Sequence, residues 1–294
     1  MVLDAQSLEI SLKVLIISDG KAGHENQSIA FAKLKKLDYD IVQVHNKLKF
    51  LTYILDFFHI YINLFPLHVE KKTYAAVVST GSSTYYANKY LSKELGVKSI
   101  AIMLPHGFRY SDFDYILASN HDAPPQETNI ISMPLNLSLS EPKGFVKKTE
   151  QKALGIIIGG SNSVFTMESS EIKKSLDEIF KQYPEYLKYI TTSRRTPKEV
   201  DKLLEKYTFD YEVIYSKNSD VNPIADFIAT CDELFITIDS TSMLSEARAN
   251  SDAKLHIIDL KAKKSNTKFH TLTETIKNMK TRFDYQPYLD KVVL

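Results

Sequence analysis

Short apolar runs alternate with helix-periodic stretches along the whole chain, and no other feature limits the fold as much. Strand-like runs stand at 13–17, 40–44, 75–79, 98–102, 114–118 and 129–133, and again near 154–158, 187–191, 211–215, 233–238 and 254–258. Between the two series lies a polar connector, Ser138 to Lys152, which holds proline, glycine and charges without a sustained apolar period. It is the best domain boundary in the chain. Two consecutive β/α series imply an α/β protein of two Rossmann-like, doubly wound parallel-sheet domains, 1–140 and 153–270. The cleft between two such domains facing each other is the default ligand site. No sequence repeat or low-complexity region is present.

The totals are compatible with this and exclude some alternatives. A chain of 294 residues, 44% hydrophobic and 25% charged, is long enough for two domains with full cores. A formal charge of +1 gives no reason to expect nucleic acid as a partner. The single cysteine, Cys231, rules out an intramolecular disulfide and fits a reducing compartment. The N-terminus lacks the pattern of a secretory signal, and no window of about 20 residues is free of polar groups.

One segment comes close to a membrane pattern. In residues 50–67 the polar positions Thr52, Asp56, His59 and Asn63 form one narrow stripe on an otherwise aromatic and aliphatic helix, flanked by Lys47, Lys49, Lys71 and Lys72. Such a helix fits either an anionic membrane interface or a site buried between the sheet and its neighbours.

The chemistry concentrates in strand-to-helix turns. The run ending at Ile17 breaks into Ser18-Asp19-Gly20-Lys21-Ala22-Gly23-His24-Glu25-Asn26-Gln27, more polar chemistry than a turn needs. Gly20 and Gly23 permit a tight turn and close ligand approach, and the following helix start offers free N–H groups. Three turns of the second half repeat the theme. Ile158 leads into Gly159-Gly160-Ser161-Asn162-Ser163, Thr192 into Ser193-Arg194-Arg195-Thr196-Pro197, and Ile238 into Asp239-Ser240-Thr241-Ser242-Met243. On parallel strands all three lie at one sheet edge. Their backbone N–H groups, hydroxyls and two guanidinium groups then suit a diphosphate. Glu246, farther along the last helix, is placed to accept hydrogen bonds from ribose hydroxyls.

Structural roles compete with these. Thr196-Pro197-Lys198-Glu199 reads as a capping box with proline at the first helical position, Asn222-Pro223 opens another helix, and Ser240 suits a helix cap. Asp112-Phe113-Asp114 precedes a strand instead of following one, and reads as accidental. His106 and His121 both follow apolar runs and are expected to face the same cleft as His24. No cluster has metal-ligand spacing, so no metal or other cofactor is expected. The P-loop, Rossmann NAD and α/β-hydrolase glycine patterns are missing.

The blocks Ser18–Gln27, Thr191–Pro197 and Asp239–Ala247 resemble the signature blocks of the mitochondrial-fission ELM family, whose bacterial members are regarded as glycosyltransferases. His121-Asp122 and Lys268-Phe269-His270 also resemble family positions, and the likeness spans about residues 14–285. The resemblance implies a GT-B architecture with the nucleotide sugar held mainly by the C-terminal domain and the acceptor on the N-terminal side. It also implies a C-terminal helix or tail, residues 271–294, crossing back to the first domain. Gly159-Gly160-Ser161 further resembles the turn of the N-acetylglucosaminyltransferase completing lipid II, where it faces the donor diphosphate and a glutamate on a later helix holds the ribose.

Together these readings lead to a metal-independent glycosyltransferase. His24 is the candidate base and Asp19 its alternate or its orienting partner. Donor contacts are expected from Gly159, Gly160, Ser161, Ser193, Arg194, Arg195, Thr196, Asp239, Ser240, Ser242, Met243 and Glu246. The acceptor side is expected to comprise Gly20, Gly23, Asn26, Gln27, His106 and His121. The expected acceptor is a cell-envelope glycan or lipid-linked saccharide such as lipopolysaccharide core. In a bacterial host that reaction would run in the cytoplasm, on the inner face of the membrane. A non-catalytic adaptor at a membrane surface and a nucleotide-sugar 2-epimerase remain open as alternatives.

Overall fold

The computed structural model describes residues 12–294 apart from 66, 68, 70–73 and 266, so Lys71 and Lys72 lie outside the described residues. The chain divides into two compact units, residues 1–133 with 285–294, and residues 134–284.

The first unit is built on a six-stranded sheet. Its elements run β1 (Lys13–Ser18), α1 (Ala22–Leu34), β2 (Asp38–Gln43), α2 (Lys49–Phe57), β3 (Ala76–Thr80), α3 (Tyr85–Leu95), β4 (Lys98–Ile102), β5 (Tyr115–Ser119) and β6 (Ile130–Met133). The strand order is β2-β1-β3-β4-β5-β6, every pair parallel. β1 and β3 are near-continuous apolar runs because helices cover both faces of a parallel sheet. Val14 to Ile17 and Ala76 to Val78 are at most 1% exposed. The chain moves from β1 outward to β2, then returns to lay β3 on the other side, so the carboxyl ends of β1 and β3 form the topological switch point.

The second unit contains β7 (Ala153–Ile158), β8 (Phe165–Thr166), α4 (Ser169–Gln182), β9 (Leu187–Thr192), α5 (Lys198–Leu204), β10 (Tyr211–Val213), α6 (Ile224–Thr230), β11 (Glu233–Thr237), α7 (Thr241–Asn250), β12 (Lys254–Ile258), β13 (Lys261–Ala262) and α8 (Thr267–Asn278). The main sheet has the order β10-β9-β7-β11-β12, again parallel, while β8 and β13 form a small antiparallel pair. Here the switch point falls between β7 and β11. A last short helix, α9 (Gln286–Leu289), belongs to the first unit.

Four local expectations change. The division falls after Met133, ahead of the polar connector, because the connector is strapped to the second unit. Leu135 and Leu137 are buried, Gly144 N–H donates to the Asp226 carboxylate at 2.6 Å, and Ser140 N–H donates to Asn250 Oδ1. The stretch expected as one helix over 50–67 is helical only to Phe57, since His59 adopts a left-handed backbone (φ 56°). Within the helix its polar stripe points inward, with Thr52 and Asp56 buried, whereas His59 and Asn63 beyond its end are exposed. The C-terminal helix is broken into α8 and α9, the intervening residues 279–285 being non-helical. Finally, Thr196 caps nothing: α5 starts from Pro197, whose carbonyl accepts the first helical N–H groups, and the Thr196 hydroxyl turns elsewhere.

Candidate functional site

At the switch point of the first sheet, the turn after β1 delivers Asp19 and His24. The Asp19 side chain is 4% exposed and reaches His24 Nδ1 with both oxygens at 3.1 Å. A carboxylate accepts only, so Nδ1 donates, which in the neutral ring leaves the lone pair on Nε2. Lys21 Nζ holds the same carboxylate at 2.9 Å. Burial works to raise the Asp19 carboxyl, but the Lys21 ammonium and His24 outweigh it and hold it below the usual carboxylate range. Ser18 hydroxyl donates to Glu25 at 2.5 Å and accepts Gly20 N–H at 3.0 Å, which fixes the turn.

The His24 ring rests on the turn after β3. A Cβ at Gly81 would stand 2.4 Å from ring atoms Cε1 and Nδ1, and Gly81 itself has φ +92°. No side chain other than glycine meets both demands without strain. Sequence reading missed Gly81; its signal was a glycine placed directly after the buried run 76–80. Gly20 has φ +75°, as its tight turn requires, whereas Gly23 lies in the first turn of α1 with open space at its Cβ position. Asn26 is exposed, and Gln27 is buried with its amide donating to Gly23 O and reaching Met103 Sδ. His106 is exposed in the loop after β4, and the His121 side chain is buried after β5 beside Asp122. All of these follow strands whose carboxyl ends share one sheet edge.

The second sheet brings its three polar turns together on adjacent strands. Asp239, buried to 0% at the side chain, accepts Gly160 N–H at 3.0 Å, Thr237 hydroxyl at 2.7 Å and Arg195 Nη2 at 2.7 Å. Gly159 N–H donates to Thr237 Oγ1 at 2.7 Å. A Cβ on Gly159 would lie 2.2 Å from the Asp239 carboxylate, and one on Gly160 would lie 2.1 Å from the Arg195 carbonyl oxygen. Both glycines are therefore required by close approach of neighbouring turns. Ser193 and Thr196 hydroxyls both donate to Gly159 O, at 2.8 and 2.6 Å, while Ser161 Oγ accepts Met167 N–H. Asn162, named in the turn but not among the expected donor contacts, donates from its amide to Asp239 O and accepts Val164 and Phe165 N–H.

The expected inventory of diphosphate donors shrinks accordingly. Asp239 engages one nitrogen of the Arg195 guanidinium, and Ser193 and Thr196 donate their hydroxyl protons to Gly159 O, whereas Ser161 accepts Met167 N–H and keeps its own proton to donate. Arg194 is exposed and has no polar partner among the described residues. Ser240 is the N-cap of α7 and accepts Met243 N–H at 3.3 Å, leaving the Thr241 and Ser242 N–H groups without intrahelical partners. Ser242 is exposed. On the next turn of α7, half-buried Glu246 has its carboxyl pushed above the usual range by burial, opposed by the Ser140 hydroxyl. Phe269 packs edge-on against Phe165 at 4.9 Å, whereas His270 is exposed. Among the described residues, no group of three or more His, Cys, Asp or Glu side chains is placed to hold a metal ion. Burial pushes the Cys231 thiol up to about 12, so it is no nucleophile near neutral pH.

Two Rossmann-like parallel sheets, each with polar side chains gathered at its switch point, define an α/β protein of the GT-B-like class. The profile of the Mitochondrial fission ELM1 family matches residues 22–288, and the chain belongs to that family. A Rickettsia prowazekii (strain Madrid E) protein, uncharacterized protein RP120, is 25% identical over 296 residues, covering 84% of this chain and 83% of its own. Two solved structures share the fold. S. aureus MnaA in its UDP co-structure is 12% identical, with 95% of this chain and 90% of that chain covered and a TM-score of 0.50. A Polygonum tinctorium UDP-glucosyltransferase, solved with 3,4-dichloroaniline, is 10% identical, with 92% and 85% covered and a TM-score of 0.50.

Proposed function

We propose that this protein is a glycosyltransferase that moves a sugar from a nucleotide-sugar donor to a cell-envelope glycan or lipid-linked acceptor, without a metal ion. One observation carries the reading: the switch point of the second sheet. There Asp239 locks Gly159-Gly160 and Arg195 into one rigid edge, and that edge adjoins the start of α7 and Glu246. In open α/β sheets this is where ligands bind. The free N–H groups of α7 and Arg194 meet the diphosphate, and Glu246 accepts from the ribose hydroxyls. Two proteins whose names carry UDP or a UDP-sugar share the fold, so uridine diphosphate sugars head the list of donors.

In an inverting reaction, the acceptor hydroxyl oxygen attacks the anomeric carbon while the carbon–oxygen bond to the diphosphate breaks. The nucleoside diphosphate leaves with the bonding pair, and the acceptor proton passes to His24 Nε2. Asp19 holds the ring in the required tautomer and stabilises the imidazolium that forms. The resemblance to the bacterial branch of the family supports an envelope acceptor.

Calorimetric titration with UDP, GDP, CMP and ADP forms and their sugars tests the donor site. Selective binding that Glu246→Ala weakens about tenfold or more is the expected outcome. Conversion of the bound nucleotide sugar without acceptor would identify a 2-epimerase instead. No binding to any member of the panel would remove the enzyme reading and favour an adaptor.

A further inference from the structure

An apolar surface lies outside both candidate sites, on α2 and the turn that follows it. Phe50, Ile54, Phe57 and Phe58 recur at spacings of four, three and one, so they share one helix face. That face meets solvent: Phe50 is 78% exposed, Phe57 65% and Phe58 63%. Leu48, Leu51, Ile60 and Ile62 extend it, all exposed. The opposite side is turned inward, with Tyr53 and Leu55 packed on the core and two polar groups buried beside them. The Thr52 hydroxyl donates to Lys49 O, and Asp56 pairs with Lys89 at 2.6 Å while accepting Arg109 N–H and Tyr61 hydroxyl. The polar stripe of α2 thus faces inward beside Tyr53 and Leu55 while an apolar face is left in solvent, and a contiguous patch of this kind marks an interaction surface.

The charges around the patch say what covers it. Lys47 and Lys49 are exposed beside Leu48. Lys93 Nζ stands 3.8 Å from the centre of the Tyr61 ring, and the half-exposed Arg109 side chain lies 3.7 Å from the Asp112 carboxylate. The acids of the same region are drawn inward. Asp56 is the one acid between residues 45 and 65 and its side chain is 1% exposed, while that of Asp112 is 14% exposed and bonded to Tyr61. The result is an apolar centre with a cationic rim and no exposed carboxylate from that segment. Symmetric pairing with a second copy would set these cations against themselves.

We propose that this face of α2 docks on an anionic lipid surface. Phe50, Ile54, Phe57 and Phe58 enter the interfacial layer, and Lys47 and Lys49 meet lipid headgroups. The proposal stands independently of the donor site, because none of these residues belongs to it.

Flotation of the full-length protein tests it, using vesicles of phosphatidylcholine alone and vesicles containing about a third phosphatidylglycerol. Recovery on anionic vesicles should exceed that on neutral ones about tenfold and should fall as salt is raised. Phe57→Glu/Phe58→Glu should remove it. Both side chains are exposed, so the far-UV spectrum and the thermal midpoint should stay near wild type. Lys47→Glu/Lys49→Glu should weaken it with the apolar face intact. Equal recovery on both vesicle types, no recovery on either, or unchanged recovery of the Phe57/Phe58 variant would overturn the proposal. So would a stable dimer in sedimentation that this variant splits, if vesicle binding is absent.

Discussion

Asp239 shows how a residue-scale reading and the folded chain diverge. Sequence position marks it as a strand-end acid beside a helix cap, and that is where it stands. Its work is to hold Gly160 N–H, the Thr237 hydroxyl and Arg195 together, which no local pattern announces, since Arg195 is 44 positions away. Two adjacent arginines look alike in a sequence, yet Arg195 is oriented by Asp239 through one nitrogen while Arg194 has no polar partner among the described residues. His24 and Asp19 were legible because a buried run followed by Asp, two glycines and His is rarely needed for a turn alone. Replacing His24 by Ala should lower turnover roughly 10²–10⁴-fold and leave nucleotide affinity near wild type, as steady-state kinetics and calorimetry would report. Glu246 makes a second prediction through its pH dependence. Burial raises its carboxyl, so between the ordinary carboxylate range and the raised value the native state keeps a proton that the unfolded chain has lost. Stability therefore falls as pH rises through that window. Glu246→Gln removes this slope and should unfold at higher denaturant than wild type at neutral pH, measured by urea titrations on both sides of the window. On the proposed donor role, nucleotide affinity should run the other way, weakening as pH drops and Glu246 protonates, which calorimetry at several pH values would report.

The strands were readable as elements because each is a short apolar run bounded by polar turns, a signal that survives without tertiary context. The two-residue pair β8 and β13 was not, since strands so short carry no periodicity. α2 was readable as a helix with a polar stripe, but which face turned inward was not. A stripe of Thr52 and Asp56 normally marks the solvent side. It turns inward here because Lys89, fully buried on α3, supplies a partner for Asp56; burial lowers the Lys89 pKa and the Asp56 carboxylate opposes that fall. The end of α2 at Phe57 was equally hidden, since neither Phe58 nor His59 is a helix stop by composition. The exposed stripe and its cationic rim follow from that inversion, and the vesicle test addresses this element alone.

On the scale of the whole molecule, the strands of the two main sheets and their two series follow from the β/α alternation, whereas the division between units follows from packing. The connector looks like a linker by composition, yet Asp226 and Asn250 take up its backbone N–H groups and bind it to the second unit. The last ten residues belong to the first unit: Leu289 and Val292 are buried, and Lys35 Nζ donates to their carbonyls at 3.0 and 2.9 Å. Ending the chain after Asp284 should therefore destabilise the first unit by about 3 kcal/mol or more, from two lost apolar anchors. Hydrogen exchange should show loss of protection in β5 and β6 with β7 and β11 unchanged. What the sequence alone determined was the α/β class, the strands of the two main sheets, the polar strand-end turns and the family resemblance, because buried runs and turn residues act over a few neighbours. The strand order, and with it the two switch points, came only from the tertiary structure. So did the pairing of Arg195 with Asp239, the contact of Gly81 with His24 and the inward face of α2. Each of these depends on side chains far apart in sequence meeting in a low-dielectric interior, where an unpaired charge or a misplaced Cβ is too costly to keep.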